Sequence, residues 1–393
     1  MESNVLRCSG YPQSGIEIQR ASDCALVTAD GRELIDFEAG VWCAALGHNH
    51  PGIRATIDAQ LDRMSHIGYR VSNTTQEAAA SALLEVCGLR DGKAVFLSSG
   101  SEAVEFASQV ARVVSAKPYL LSLQESYLGA YGSVGGKKPE EWVLFDRLNC
   151  ESCASDSGCT SDCPSLSMLP FDKIGAFVLE AGSSGGFIRF PRSDLVRALC
   201  EQVRAHGGLV VANEITTGFG RTGEWFGFNH FGIQPDIIAV GKGLGNGHPV
   251  SAIALSRNVV SALSRTDFHY AQSHQNDPLG CAIAVEVIRT LREEKLIERA
   301  REVGSAFRER LEQLREGHDC VADVRGRGLL LAIEFDRTPG VLDLDAVFSG
   351  LLDAGFLVGY KPAGHLLRFL PPLTISNQNI ERLIEALSNL VKP

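Results

Sequence analysis

Between residues 93 and 256 the chain alternates two kinds of segment: short unbroken apolar runs, and longer stretches in which apolar positions recur every three or four residues. The runs are KAVFLSS (93–99), PYLLSL (118–123), IGAFVLEA (174–181), GLVVANE (208–214), PDIIAVGK (235–242) and VSAIALS (250–256). Continuous apolar runs separated by helical periodicity predict strands covered on both faces, hence an α/β fold around a mainly parallel sheet flanked by helices. Upstream, CALVTADGRELIDF (24–37) places two alternating stretches around Asp30-Gly31, the chemistry of a tight hairpin. Downstream, residues 278–316 hold helical periodicity for longer than a typical single helix and are expected to cross between two lobes. VADVRGRGLLLAIEF (321–335) predicts further strands, and NQNIERLIEALSNLV (377–391) a closing amphipathic helix. The expected division is 1–50 as the N-terminal part of a small α+β domain, 51–290 as a large domain with an insertion at 150–167, and 291–393 as the remainder of the small domain.

Composition narrows the function. With 393 residues and 45% apolar content the chain can bury a sizeable core, and its formal charge of -10 offers no footprint for a phosphate backbone. Nucleic acid is not an expected partner. No segment approaches the roughly 20 apolar residues that span a bilayer, and the first residues lack a secretory pattern, so a cytoplasmic location without membrane contact is expected. Seven of the eleven cysteines (Cys8, Cys24, Cys43, Cys87, Cys200, Cys281 and Cys320) are scattered and are expected to be buried thiols. The other four, Cys150, Cys153, Cys159 and Cys163, follow C-x2-C-x5-C-x3-C in a polar loop. Four thiolates so closely spaced fit one tetrahedral metal, zinc first and an iron-sulfur cluster second, against reduced thiols or a pair of disulfides in a solvent loop.

Candidate chemistry collects where the apolar runs end. Lys242 follows one of them at a predicted sheet edge, where desolvation lowers the pKa of an amine and makes it a nucleophile toward an aldehyde. Taken alone, a lysine reaching solvent is the better account of it, and only its surroundings reverse that. FLSSGSEAVEFASQVARVV (96–114) runs from a strand through Ser98, Ser99, Gly100 and Ser101 into a helix, whose free amides make either an anion site or an ordinary Ser-capped terminus. GLVVANEITTGFGRTG sends Asn213 and Glu214 toward the same edge, followed by a glycine-rich loop with Arg221. These polar groups can meet the far end of a ring whose phosphate lies elsewhere, or serve as turn chemistry.

NEITTGFGRTGEWFGFNHFGIQPDIIAVGKGLGNGHPVSA, with SSGSEAVEFA, GHNHP and SHQNDPLGCAIA, resembles the class III aminotransferases, pyridoxal-phosphate (PLP) enzymes of fold type I, from IDFEAGVW to LLRFLPPLTIS. The resemblance implies that Lys242 holds PLP as a Schiff base and shuttles the proton. It implies Gly100 and Ser101 as the phosphate turn and Tyr127 as the aromatic stacked on the ring. Ser273 stands where the family has a threonine reaching the phosphate from a second subunit, which implies a homodimer with a shared site. Arg368 matches an arginine that clamps a substrate carboxylate, with a strand-edge surface charge as the alternative. Trp42 matches an aromatic at the substrate pocket, with a core tryptophan as the alternative.

Several positions depart from the family. Asn213 replaces the aspartate that faces the pyridine nitrogen, so a neutral hydrogen bond stands where a charge-assisted one, about twice as strong, is usual. Thr216 replaces a glutamine that reaches the ring hydroxyl, Leu128 replaces a histidine, and Ala181 a proline. The expected reaction is transfer of an amino group between an amine or amino acid and an oxo acid. A lyase, epimerase or aminomutase on the same scaffold is the alternative that Asn213 and Thr216 motivate, and a PLP-binding protein without turnover is the alternative from another class.

Overall fold

The computed structural model describes residues 4–6, 15–147, 150, 158–160, 163–182 and 185–392. A seven-stranded sheet carries the strands in the order Lys93–Leu97, Ser251–Leu255, Ile237–Val240, Leu209–Asn213, Ile174–Glu180, Tyr119–Leu123 and Trp142–Phe145. The last five are mutually parallel, while Ser251–Leu255 is antiparallel to both neighbours. All six apolar runs are in this sheet.

Ile174–Glu180 shows why such runs read as continuous: every residue of it is buried. Ala176 and Val178 point to the face where Val104, Ala107, Val110 and Ala111 of the helix Gly100–Ser115 pack. Phe177 and Leu179 point to the other face, against Leu195, Leu199 and Val203 of the helix Ser193–Ala205. Alternate residues thus serve two separate cores, which is why the run shows no alternation of apolar and polar positions.

The expected hairpin forms between Ala25–Thr28 and Glu33–Asp36, and Phe356–Leu357 from near the other end of the chain adds to it in parallel. A third sheet, antiparallel throughout, has the order Val321–Arg327, Leu330–Phe335, Leu366–Phe369, Gly359–Lys361. Phe37, Phe307, Phe356 and Phe369 meet edge-on or tilted, with centroids 5.3–6.3 Å apart, so aromatic packing joins the first and last parts of the chain. The 278–316 stretch is not continuous: Pro278–Glu293 and Leu296–Gly317 are separated at Lys295, whose φ of 52° is left-handed and interrupts the hydrogen-bond ladder. Among the described residues, no helix is long and apolar enough to cross a membrane.

Candidate active site

Three strand ends converge at one edge of the seven-stranded sheet. Asn213 pairs with Ala239, so the chain leaves the strands Leu209–Asn213 and Ile237–Val240 side by side, and the turn after Lys93–Leu97 emerges at the same edge. Close approach of these loops depends on missing side chains. A Cβ on Gly100 would lie 2.7 Å from Ile215 Cγ2, and one on Gly241 would lie 3.2 Å from Ile215 Cδ1. Ser251 Oγ donates to the Ser99 carbonyl at 2.7 Å and ties the fourth strand to the turn.

Lys242 projects from this junction. Its amine donates to Thr216 Oγ1 at 2.8 Å and lies 4.2 Å from the centre of the Trp42 ring. Burial pulls its pKa down from 10.5 to about 8; Cys43 and Glu180 oppose the shift, and Arg368 and Arg221 add to it. An amine so placed is neutral in about a tenth of molecules at pH 7 and about half at pH 8, far more than an ordinary lysine, and the neutral form is what nucleophilic attack on an aldehyde requires.

The turn at 98–101 leads into the helix Gly100–Ser115. Ser99 caps the helix by accepting from Glu102 N at 3.2 Å, leaving the first amides, those of Gly100 and Ser101, outside the helical ladder. Ser101 Oγ accepts from Ala130 N at 3.0 Å, which fixes the 127–130 loop beside the turn. Tyr127 in that loop is exposed; its amide donates to Glu180 Oε2 at 2.8 Å and its carbonyl accepts from Asn213 Nδ2 at 3.0 Å. Asn213 Oδ1 accepts from Ile215 N at 3.3 Å, so both ends of the amide are oriented by the backbone. Leu128, the departure from histidine, is buried with Val134 in the core behind the loop.

Glu214 and Arg221 belong to the scaffold and do not join Asn213 at the site. The buried Glu214 carboxylate accepts from Thr217 Oγ1 at 2.7 Å, Gly227 N at 2.7 Å and Phe228 N at 2.8 Å, and desolvation outweighs these bonds to raise its pKa to about 7. Arg221 is also buried and donates to the carbonyls of Leu329 at 3.0 Å and Pro371 at 2.5 Å. It pins the glycine-rich loop to the C-terminal part of the chain.

Arg368 is no surface charge. It lies in an interior strand, is 6% exposed, and its guanidinium reaches Glu38 Oε1 at 3.4 Å. The Trp42 ring is close to both cations: its centre lies 5.2 Å from the Arg368 guanidinium carbon and 4.2 Å from the Lys242 amine. Trp42 therefore borders the groove as well as packing on Ile188, Leu330 and Leu366.

The backbone that presents Trp42 is strained. Ala39, Gly40, Val41 and Trp42 all have positive φ, at 47°, 58°, 59° and 74°, forming one turn of left-handed helix closed by Trp42 N to Glu38 O and Cys43 N to Ala39 O. Such backbone costs about 1–2 kcal/mol per non-glycine residue. Asp36 offsets it: the buried carboxylate accepts from Glu38 N at 2.7 Å, Ala39 N at 3.0 Å and Gly40 N at 3.2 Å, and His48 Nε2 lies 2.8 Å away. Each hydrogen bond to a charged acceptor contributes about 1.5–3 kcal/mol.

Two sequence-predicted features lie elsewhere. Ser273 is exposed in the connection before the helix Pro278–Glu293, and its hydroxyl joins none of the hydrogen bonds of the Lys242 groove. Of the four clustered cysteines, Cys153 lies outside the described residues; Cys150 is buried, Cys159 and Cys163 are half-buried, and these three pack in the same core with no disulfide among the described residues. Among the scattered ones, Cys24, Cys87, Cys200, Cys281 and Cys320 are buried as expected, Cys8 lies outside the described residues, and Cys43 is only half-buried, beside Lys242. Sequence reasoning did not find Cys43, Glu38, Asp36 or His48 as site residues.

A family model described as "Aminotransferase class-III" matches residues 9–139 and 146–391. The chain belongs to the class III aminotransferases. It is 31% identical over 390 residues to an acetylornithine aminotransferase of Aquifex aeolicus, covering 98% of this chain and 99% of that one. A leucine/methionine racemase of Thermococcus litoralis is 27% identical over 399 residues, covering 95% and 89%. Among solved structures, a Bacillus anthracis aminotransferase superposes with a TM-score of 0.88 at 25% identity, covering 98% and 95%. Fold type I architecture and PLP-dependent aminotransferase activity follow from this membership. The residues present fit the cofactor: a desolvated amine for its aldehyde, free helix-start amides for its phosphate, and an exposed aromatic and a polar strand end for its ring.

Proposed function

We propose that Lys242 holds PLP covalently and moves the substrate proton, with Gly100 and Ser101 on the phosphate, Tyr127 against the ring, and Asn213 at its nitrogen. When bound, the cofactor supplies an electrophilic carbon for the incoming amine and a conjugated ring that accepts an electron pair. Everything else is work for the chain. Lys242, once released, has the lowered basicity suited to taking and returning a proton near neutral pH, and Thr216 holds its amine in place. Trp42 walls that amine from water on one side. Asn213 offers a neutral partner fixed by Tyr127 and Ile215, which weakens the pull on the ring compared with a carboxylate.

The observation that carries this reading is the Lys242 amine, desolvated and bonded to Thr216 at the convergence of three strand ends. Borohydride reduction of the PLP-loaded protein followed by peptide mapping tests it; a pyridoxyl group on any residue other than Lys242, or on none, overturns it. For the substrates, the buried Arg368 and the relatives named acetylornithine aminotransferase support an amino-acid donor whose carboxylate Arg368 receives, with an oxo acid as acceptor. A donor screen followed through the cofactor's absorbance identifies it. The racemase relative, together with Asn213, supports racemisation as a second reading. Transamination consumes an oxo acid stoichiometrically, whereas racemisation consumes none, so product analysis separates them.

Further parts of the reading concern assembly and the insertion. We propose a cytoplasmic homodimer in which the exposed Ser273 completes the partner's phosphate site, within the two-lobed division at about residues 50 and 290. We also propose that Cys150, Cys153, Cys159 and Cys163 hold a structural zinc, or failing that an iron-sulfur cluster. Cys159 supports this: its thiol shares a hydrogen bond with Cys150, and burial, Asp194 and Cys163 raise its pKa, so a metal binding there would displace its proton. Protein purified without chelator is expected to carry one metal per chain; none in fresh anaerobic material overturns it.

A further inference from the structure

The left-handed turn at 39–42 has no local cause. Val41 is β-branched and 61% exposed, so neither its own preference nor any packing around it favours a positive φ. The conformation is imposed from Asp36, whose two carboxylate oxygens are fully used: Oδ1 accepts from Glu38 N and Ala39 N, and Oδ2 from Gly40 N and His48 Nε2. His48 is itself locked, since its backbone exchanges hydrogen bonds with Asp23 at 2.9 and 2.8 Å. The strained turn presents to the groove two side chains from its ends, Glu38 and Trp42, and these meet Arg368 and Lys242.

We propose that Asp36 and His48 are positioning residues for the reaction: together they hold the left-handed turn that sets Glu38 against Arg368 and Trp42 against Lys242. In this arrangement Glu38 is the countercharge with which an incoming carboxylate must compete, so the rigidity of the turn determines how strongly Arg368 discriminates amino acids from simple amines. Nothing in the turn touches the reacting atoms through Asp36 itself. Its effect passes through the two side chains it places. The inference rests on the reading of Lys242 and Arg368 given above.

The test uses the PLP-loaded enzyme and two donors: the amino acid that the screen finds fastest, and the amine that differs from it only by loss of the carboxylate. Asp36→Asn places an amide where Gly40 N and His48 Nε2 need an acceptor, and the ratio of the two KM values is expected to move about tenfold in favour of the amino acid. Glu38→Gln is expected to shift it equally, and the double variant no further, since both act through one contact. His48→Leu, which removes one hydrogen bond to Asp36, is expected to move the ratio in the same direction, while His48→Gln, which keeps a donor, restores it. Amide hydrogen exchange at residues 38–42 is read in parallel and needs no turnover; it is expected to accelerate at least tenfold in Asp36→Asn and His48→Leu. Unchanged exchange, or equal losses for both donors with an unmoved KM ratio, overturns the proposal. Loss of the Lys242 adduct in the unmodified protein would instead overturn the reading of the site.

Discussion

The Lys242 amine and the Thr216 hydroxyl lie 2.8 Å apart, and no acidic side chain shares that bond. The lysine is therefore held by a neutral acceptor while burial lowers its proton affinity to a midpoint of about pH 8. In cofactor-free protein, capture of added PLP is expected to accelerate as pH rises toward 8 and to level off above 9. Stopped-flow absorbance measures it; a midpoint near the ordinary lysine value of about 10.5 would contradict the burial argument. The linkage has a definite sign. Between about 8 and 10.5 the unfolded chain binds more protons at this lysine than the native one, so the lysine's contribution to cofactor-free stability rises with pH across that window.

Replacing Thr216 by Val removes the acceptor but keeps the shape. The pyridoxyl adduct on Lys242 is expected to persist, with kcat lower by about fivefold, the equivalent of one net hydrogen bond of ~1 kcal/mol. Lys242→Ala is expected to lose the adduct altogether and to lower turnover by about 1000-fold or more. Single-turnover absorbance distinguishes the two.

Asn213→Asp is expected to act in opposite directions on rate and stability. A carboxylate strengthens the bond to the ring nitrogen, and the half-reaction is expected to quicken by about tenfold. The same change removes the Nδ2 donor from the Tyr127 carbonyl, which costs about 1–3 kcal/mol and lowers Tm. An unchanged rate with an unchanged ring spectrum would dismiss the idea that Asn213 weakens the electron sink.

At Glu214 the carboxylate faces only donors. Glu214→Gln turns an amide NH2 toward at least one of Thr217, Gly227 and Phe228, and is expected to cost about 1–3 kcal/mol in thermal or denaturant unfolding. Because its folded pKa is raised to about 7, the native state of the unmodified protein binds the extra proton between about 4.5 and 7, and Glu214's stabilising contribution is lost as pH rises through that range. A Gln variant is expected to lose that component of the pH dependence.

Local pattern disclosed the scaffold because most strands of the large sheet are buried on both faces and cannot alternate. Trp142–Phe145 escaped notice for the converse reason: it is a four-residue edge strand with Leu144 exposed. The interruption at Lys295 has no glycine or proline to announce it, and the charged sequence on either side is equally helical. Among the candidate site residues, Lys242, Asn213 and Gly100 stood out because each lies at or just beyond the end of an apolar run, whereas Thr216 stood out only through the family resemblance. Glu38 was not. Its partner Arg368 is 330 positions away, and neither segment carries periodicity that points to the other. Asp36 and His48 read as ordinary hairpin and loop residues until the fold shows four donors converging on one carboxylate.

The parallel pairing of Phe356–Leu357 with Glu33–Asp36 has a consequence for biosynthesis. Translation delivers the early hairpin first, yet the strand that flanks it emerges only near the end of synthesis, after the whole seven-stranded sheet has left the ribosome. The nascent hairpin therefore waits with one edge unsealed, and Asp36, at that edge, cannot be set in its final surroundings until the last segments of the polypeptide arrive.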